Sequence, residues 1–292
     1  MNFDNPAWRT APVRTSIKVA KSLARRMVPG WSRAVVPYDG GRTSIYADLM
    51  TPMGLMLYRY GQDDPDVDLC GRLLAPGDVF VDGGANVGLF TLVAADRVGA
   101  KGKVIAFEPG RVVRLRLIEN VALNRLVQVE VIPAALSSTP GEAAFRVFDI
   151  GGAGLNHLAP LDGESGGLDT VALTTLDAAL IPHDRARLAL IKLDLEGAEH
   201  EALLGAATIL RDQRPDLLLE VEPSHLARMG SSADAIAAVL RGHGYSLFRT
   251  GRHATGLPCL SPAGDLSVRT THPNVFATVD PERARQRGIV VS

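Results

Sequence analysis

Residues 78–91, DVFVDGGANVGLFT, decide the fold: a short apolar strand runs into a glycine-rich turn that opens a helix. Pro76-Gly77 punctuates the strand on one side and Gly83-Gly84 on the other, and the helix is expected over 86–98. Outward from that unit the pattern alternates. Residues 103–107 (KVIAF) predict a strand, 111–124 a helix with Val112, Leu115, Ile118 and Ala122 at helical spacing, and 127–132 (VQVEVI) another strand. Further on, 171–173, 188–193, 217–221 and 245–249 predict strands, while 198–211 and 231–242 predict helices, the second opened by Ser231 and Ser232. Residues 274–279 (NVFATV) follow no helix and predict an antiparallel edge strand. Strands alternating with helices across short connections imply a Rossmann-like α/β fold: a mostly parallel, seven-stranded sheet with helices on both faces.

Ligands of open parallel sheets sit beyond the carboxyl ends of the strands, so the residues just after each strand carry the chemistry. After the first comes Asp82-Gly83-Gly84-Ala85-Asn86-Val87-Gly88. This is not GxGxxG, and an aspartate there repels a pyrophosphate but suits a cationic amine. After the second strand stands Glu108, placed to accept both hydroxyls of a ribose. A glycine turn with a ribose carboxylate and no phosphate signature points to a nucleoside without a polyphosphate. S-adenosylmethionine (SAM) fits, with its adenosine, sulfonium and amino-acid end.

The segment VFVDGGANVGLFT resembles the first SAM-binding motif of the FkbM-type methyltransferase family. FEPG (107–110) resembles that family's acidic loop, ENVALN (119–124) its Asn-x-x-x-Asn helix, and TTLDAAL (174–180) its Thr-Leu-Asp segment. IKLDLEGAEHEALLGA (191–206) is similar to its Ile-Lys-x-Asp-x-Glu-Gly-x-Glu signature, and PNVF (273–276) to its closing strand. Gly83 and Gly110 depart from the family's usual residues. The resemblance implies a class I methyltransferase domain over residues 61–280, after an extension over 1–60 and before a tail over 281–292. It implies that Asp82, Gly84, Ala85, Asn86 and Gly88 surround the methionine part of SAM, that Glu108 takes the ribose, and that Ala135 and Ser137 lie at the adenine. Asn124 reads as a helix-end hydrogen-bonding residue.

Methyl transfer is an in-line displacement that must align nucleophile, methyl and sulfur and remove a proton from a neutral hydroxyl. Lys192, Asp194 and Glu196 project to one side if their segment stays extended. Asp194 faces the expected methyl, as base or at the edge of the cofactor, and Glu196 stands beside it. Glu222 and His225 follow the fifth strand, and His225 can titrate near neutrality. No HxH, HExxH or CxxC exists, so no metal site is expected; a magnesium on Asp194 and Glu222 is compatible but not predicted. The resemblance implies O-methylation of a small molecule, sugar, glycolipid or natural product. The alternative is a catalytically inactive SAM-binding or partner-binding protein of the same fold.

Of 292 residues, 46% are hydrophobic and 22% charged, with 31 basic and 32 acidic side chains. Such a chain is neither disordered nor globally cationic, and only 5% of it is aromatic, so a nucleic-acid substrate is not expected. Cys70 and Cys259 share no ligand spacing, no apolar run is long enough to span a bilayer, and no secretory signal is visible. A cytoplasmic protein is expected. Residues 1–33 hold seven cations against Asp4 alone, a local +6; the rest, with 24 cations and 31 carboxylates, carries −7. Residues 13–28 read as a basic amphipathic helix, either docking peripherally on an anionic membrane or packing on the body with a solvated cationic face. Residues 151–168 contain six glycines and read as an insertion able to close over a site. The oligomeric state is not legible.

Overall fold

The computed structural model describes residues 12–28, 31–147, 157–158, 167–270 and 272–292. Helix α1 (Pro12–Arg26) precedes an antiparallel hairpin, β1 (Arg33–Tyr38) and β2 (Thr43–Asp48), followed by α2 (Pro52–Tyr60) and α3 (Pro65–Leu73). The alternating half then begins: β3 (Val79–Gly83), α4 (Leu89–Val98), β4 (Lys103–Phe107), α5 (Arg111–Leu123) and β5 (Val129–Ile132). A smaller four-stranded sheet follows, made of β6 (Ala134–Leu136), β7 (Gly141–Val147), β8 (His157–Leu158) and β9 (Gly167–Thr174). The chain returns through α6 (Leu176–Ala179) and α7 (Pro182–Arg185) to β10 (Leu188–Leu193), α8 (Glu199–Leu204), α9 (Ala207–Asp212) and β11 (Asp216–Glu220). It closes with α10 (Pro223–Arg228), α11 (Ala233–Gly242), β12 (Ser246–Arg252), β13 (Pro258–Pro262), β14 (Asn274–Thr278), α12 (Pro281–Gln286) and β15 (Val290–Val291).

The main sheet runs β15-β13-β12-β14-β11-β10-β3-β4-β5, parallel from β11 to β5. It has nine strands where seven were expected. The 274–278 strand is antiparallel as expected, but it lies between β11 and β12 rather than at an edge. Its side chains explain the position. Val275 and Ala277 enter one core and Phe276 the other, so both faces of β14 are covered. The same alternation holds along the parallel strands: Val79, Val81, Ile105 and Ile191 pack toward α8, α9 and α11, whereas Phe80, Val104 and Leu190 pack toward α3 and α4.

Two connections differ from the expected ones. The helix expected over 198–211 is broken at Gly205-Ala206, and the Asp177 carboxylate accepts from the amides of Thr208 and Ile209, capping α9. The Thr-Leu-Asp segment is thus a capping device. Most of the glycine-rich insertion lies outside the described residues; those described within it form β8 and the start of β9.

The hairpin packs Val36, Tyr38, Ile45 and Ala47 against Leu92 and Val93 of α4. Arg97 grips Asp39 with two hydrogen bonds of 2.8 and 2.9 Å. On the other side two asparagines of α5 serve β2. Asn120 Oδ1 accepts from Tyr46 N at 2.9 Å, and Asn124 both accepts from Ser44 N and donates to Ser44 O at 2.7 Å. Asn124, at the end of its helix as expected, therefore supplies partners to the free edge of the hairpin. No helix among the described residues is long and apolar enough to cross a membrane.

Candidate functional site

The strand order turns back on itself between β3 and β10, where a crevice opens at the carboxyl ends of parallel strands. A cleft lies there, lined by Gly84 and Asn86 after β3, Phe107, Glu108 and Pro109 after β4, and Asp194, Leu195 and Glu196 after β10. Ala134, Ala135 and Leu136 of β6 form another wall, with Phe145 and Leu158 from the smaller sheet.

The turn after β3 is built for close approach. Gly84 has φ +71°, and a Cβ on it would overlap the carbonyl oxygen of Asp194. Asn86 also sits in the left-handed region, at φ +50°, and accepts from Val87 N through its own side chain. Glu108 is buried and directed at this turn: one oxygen accepts from Asn86 N at 2.9 Å, the other from Gly110 N at 2.8 Å. Burial pushes its pKa up to about 6 against those amide donors.

Asp82 lies beneath the cleft rather than in its wall. It is fully buried, accepts from Thr91 Oγ1 at 2.6 Å, and stands 3.5 Å from Lys192 Nζ. Burial pushes its carboxyl up, opposed first by Lys192. Lys192 is also buried, donating to Gly84 O at 2.9 Å and lying 3.5 Å from Asp194 Oδ2. Burial works to lower its pKa, yet Asp194 and Asp82 hold the ammonium above its ordinary value. One cation thus ties the glycine turn to two carboxylates. Ala85, Gly88 and Ser137 are buried behind the cleft, Gly88 as the left-handed residue (φ +99°) that starts α4.

The extended row expected for Lys192, Asp194 and Glu196 does not persist past Leu193. Asp194 reaches the cleft with its side chain 43% exposed, whereas Glu196 takes φ +55° and turns toward α10. There His225 Nδ1 lies 3.1 Å from Glu196 Oε2 and 3.4 Å from Glu220 Oε2. Burial, with Asp194 and Glu199 nearby, pushes Glu196 up to about 8; burial and Asp194 push Glu220 up to about 9. Burial, with Arg228 beside it, lowers His225. Three donor atoms of Glu196, Glu220 and His225 lie within 4.8 Å of one another, close enough to share one cation.

Glu222 stands apart from that cluster. It caps α10, accepting from Ser224 Oγ at 2.8 Å, and lies 3.4 Å from Arg269. Two acidic residues enter the neighbourhood instead. Glu220 was visible as an acidic strand end, and Glu199 as the last glutamate of the 191–199 signature. Glu199 is buried and accepts from Leu195 N at 2.6 Å and Gly197 N at 3.1 Å, fixing the loop that carries Glu196.

In an alignment of 211 positions that takes in 61% of this chain, the chain is 29% identical to AMB antimetabolite synthetase AmbE of Pseudomonas aeruginosa, and it spans about a tenth of that curated relative. Among solved structures, methyltransferase FkbM from Methylobacillus flagellatus KT is 14% identical with a TM-score of 0.44, covering 93% of this chain and 60% of that one. M. jannaschii TYW2 in complex with AdoMet is 16% identical with a TM-score of 0.43, covering 84% and 85%. The sequence model of the methyltransferase FkbM domain matches residues 82–247, more than half of the chain. The chain belongs to the FkbM methyltransferase family.

Proposed function

We propose that the chain transfers a methyl group from SAM to a hydroxyl of a small molecule, sugar, glycolipid or natural product. The observation that supports this most is the pairing, in one cleft, of the buried Glu108 carboxylate at the glycine turn with Asp194 at the next strand end. The donor set fits the nucleoside. Glu108 has lone pairs left for two ribose hydroxyls, and Ala135, Leu136 and Phe145 offer an apolar wall for a base. The cleft leaves the backbone around Gly84 and Asn86 for the amino-acid end. Asp82 acts from below, through Lys192 and Thr91, to hold the turn.

SAM, when bound, supplies an electrophilic methyl on a sulfonium. The protein's residues must then orient the acceptor and take its proton. Asp194, which reaches the cleft, is the residue we assign to that step. Asp194→Asn should lower kcat by about 10²–10⁴-fold while SAM affinity stays within a few-fold, with tritiated methyl transfer to a panel of glycans and hydroxylated metabolites as readout. Full turnover in that variant would remove Asp194 from this role.

A second reading rests on the cluster of Glu196, Glu220 and His225: a divalent cation held there would sit next to Glu196 in the wall of the cleft and polarise the acceptor hydroxyl. The two carboxylates suit magnesium or manganese, and the imidazole favours manganese of the two. Activity lost on dialysis against a chelator and regained with either ion, but not in Glu220→Gln, supports it; activity indifferent to chelation excludes it.

A further inference from the structure

Helix α1 is mounted inside out. Among its described side chains the buried ones are Thr15, Val19 and Ser22, two of them hydroxyls, and Ser22 Oγ accepts from Arg59 Nε of α2 at 2.9 Å. The apolar stripe faces the opposite way. Val13 is 72% exposed, Met27 84%, and Ile17, Leu23 and Val28 are also exposed, as are the small residues Ala20 and Ala24. Trp31 extends this surface at 61% exposure, its carbonyl held by Arg25 Nε at 3.1 Å, and Val35 continues it onto the hairpin. Burying such a stripe is what ordinarily fixes an amphipathic helix to a protein, so its outward orientation is a cost that a partner must offset.

We infer that this face is a docking surface for an anionic lipid bilayer. The helix contains no acidic residue, and Lys21, Arg25 and Arg26 flank its apolar stripe. An apolar ridge bordered by cations, with a tryptophan at its end, matches the interface of a bilayer: side chains enter the acyl boundary while cations meet the headgroups. The charge distribution sets the orientation. Residues 1–33 carry +6 and the remaining chain −7, so an anionic surface attracts this end and repels the rest. An acidic protein partner would satisfy the cations. It would have to supply an apolar face as well, to cover Met27, Val28 and Trp31, whereas a bilayer offers anionic headgroups and an acyl boundary together.

The test uses the full chain in sedimentation with vesicles of phosphatidylcholine alone and of phosphatidylcholine with phosphatidylserine. The proposal predicts binding to the anionic vesicles that weakens with salt. Lys21→Glu/Arg26→Glu should lower partitioning at least tenfold, at about tenfold or less per charge near the surface. Ile17→Ser/Met27→Ser should lower it at low salt too, because it removes the inserted stripe. In a Trp8→Phe background, Trp31 fluorescence should shift to the blue on binding. Circular dichroism and thermal melts of both double variants identify any that fail to fold. No sedimentation with either vesicle overturns the proposal. So does a doubled mass in solution that Ile17→Ser/Met27→Ser abolishes, since a second copy of the chain would then cover the face.

Discussion

Single residues in the cleft work by backbone approach and by burial. Glu108 has a titration with two opposite consequences. Its raised pKa, about 6, means that folding favours the protonated acid: this part of the stability is present below the unfolded value near 4.5 and is lost as pH rises through about 6, a change of about 2 kcal/mol. Binding runs the other way, because only the carboxylate accepts from two hydroxyls. SAM affinity should therefore be constant above pH 7 and fall as pH drops through about 6, by up to tenfold per unit, while Glu108→Gln should bind weakly with no such dependence. Calorimetric titration at pH 5.0, 6.0 and 7.5 checks this, and a wild-type affinity flat across that range would contradict it. Glu108 was legible from sequence because an acid at a strand's carboxyl end is a local feature. The meeting of Glu196 with Glu220 and His225 was not. It depends on φ +55° at Glu196 and on Gly197, at φ +113°, where a Cβ would overlap the carbonyl of His225.

Between elements, α5 links the hairpin to the cleft. Asn120 accepts from Tyr46 N of β2 and donates to Val87 O of the glycine turn at 2.8 Å, so one amide side chain fixes both. Asn120→Ala leaves two buried backbone groups without partners, at about 1–3 kcal/mol. It should lower the melting temperature and weaken SAM binding several-fold by loosening the turn. Asn124→Ala, whose side chain bonds Ser44 and the Asn120 carbonyl of its own helix but not the glycine turn, should destabilise to a similar degree yet spare SAM affinity. Equal effects of both on binding would contradict this division. The Asn-x-x-x-Asn spacing was readable, but its use was not, because the hairpin it serves gives little local signal: β1 contains Pro37 and alternates buried with exposed residues over only six positions.

Across the whole molecule, the parallel half was legible because its strands are continuous apolar runs buried on both faces and separated by glycine turns and periodic helices. The antiparallel half was legible in kind but not in count. β13 begins and ends with proline, β15 has two residues, and both are set by their pairing in the sheet, β13 on β12 and β15 on β13, rather than by local pattern. The same long-range assembly brings the ends of β3, β4 and β10 to one cleft and makes SAM binding there testable. Purified protein titrated calorimetrically with SAM, and with its demethylated product, tests it most directly, alongside Glu108→Ala and Gly84→Val variants whose circular dichroism remains native. The account predicts one-to-one micromolar binding of both ligands to the wild type and loss of both in the variants. Wild-type protein that takes up neither ligand, or variants that bind as the wild type does, would contradict it.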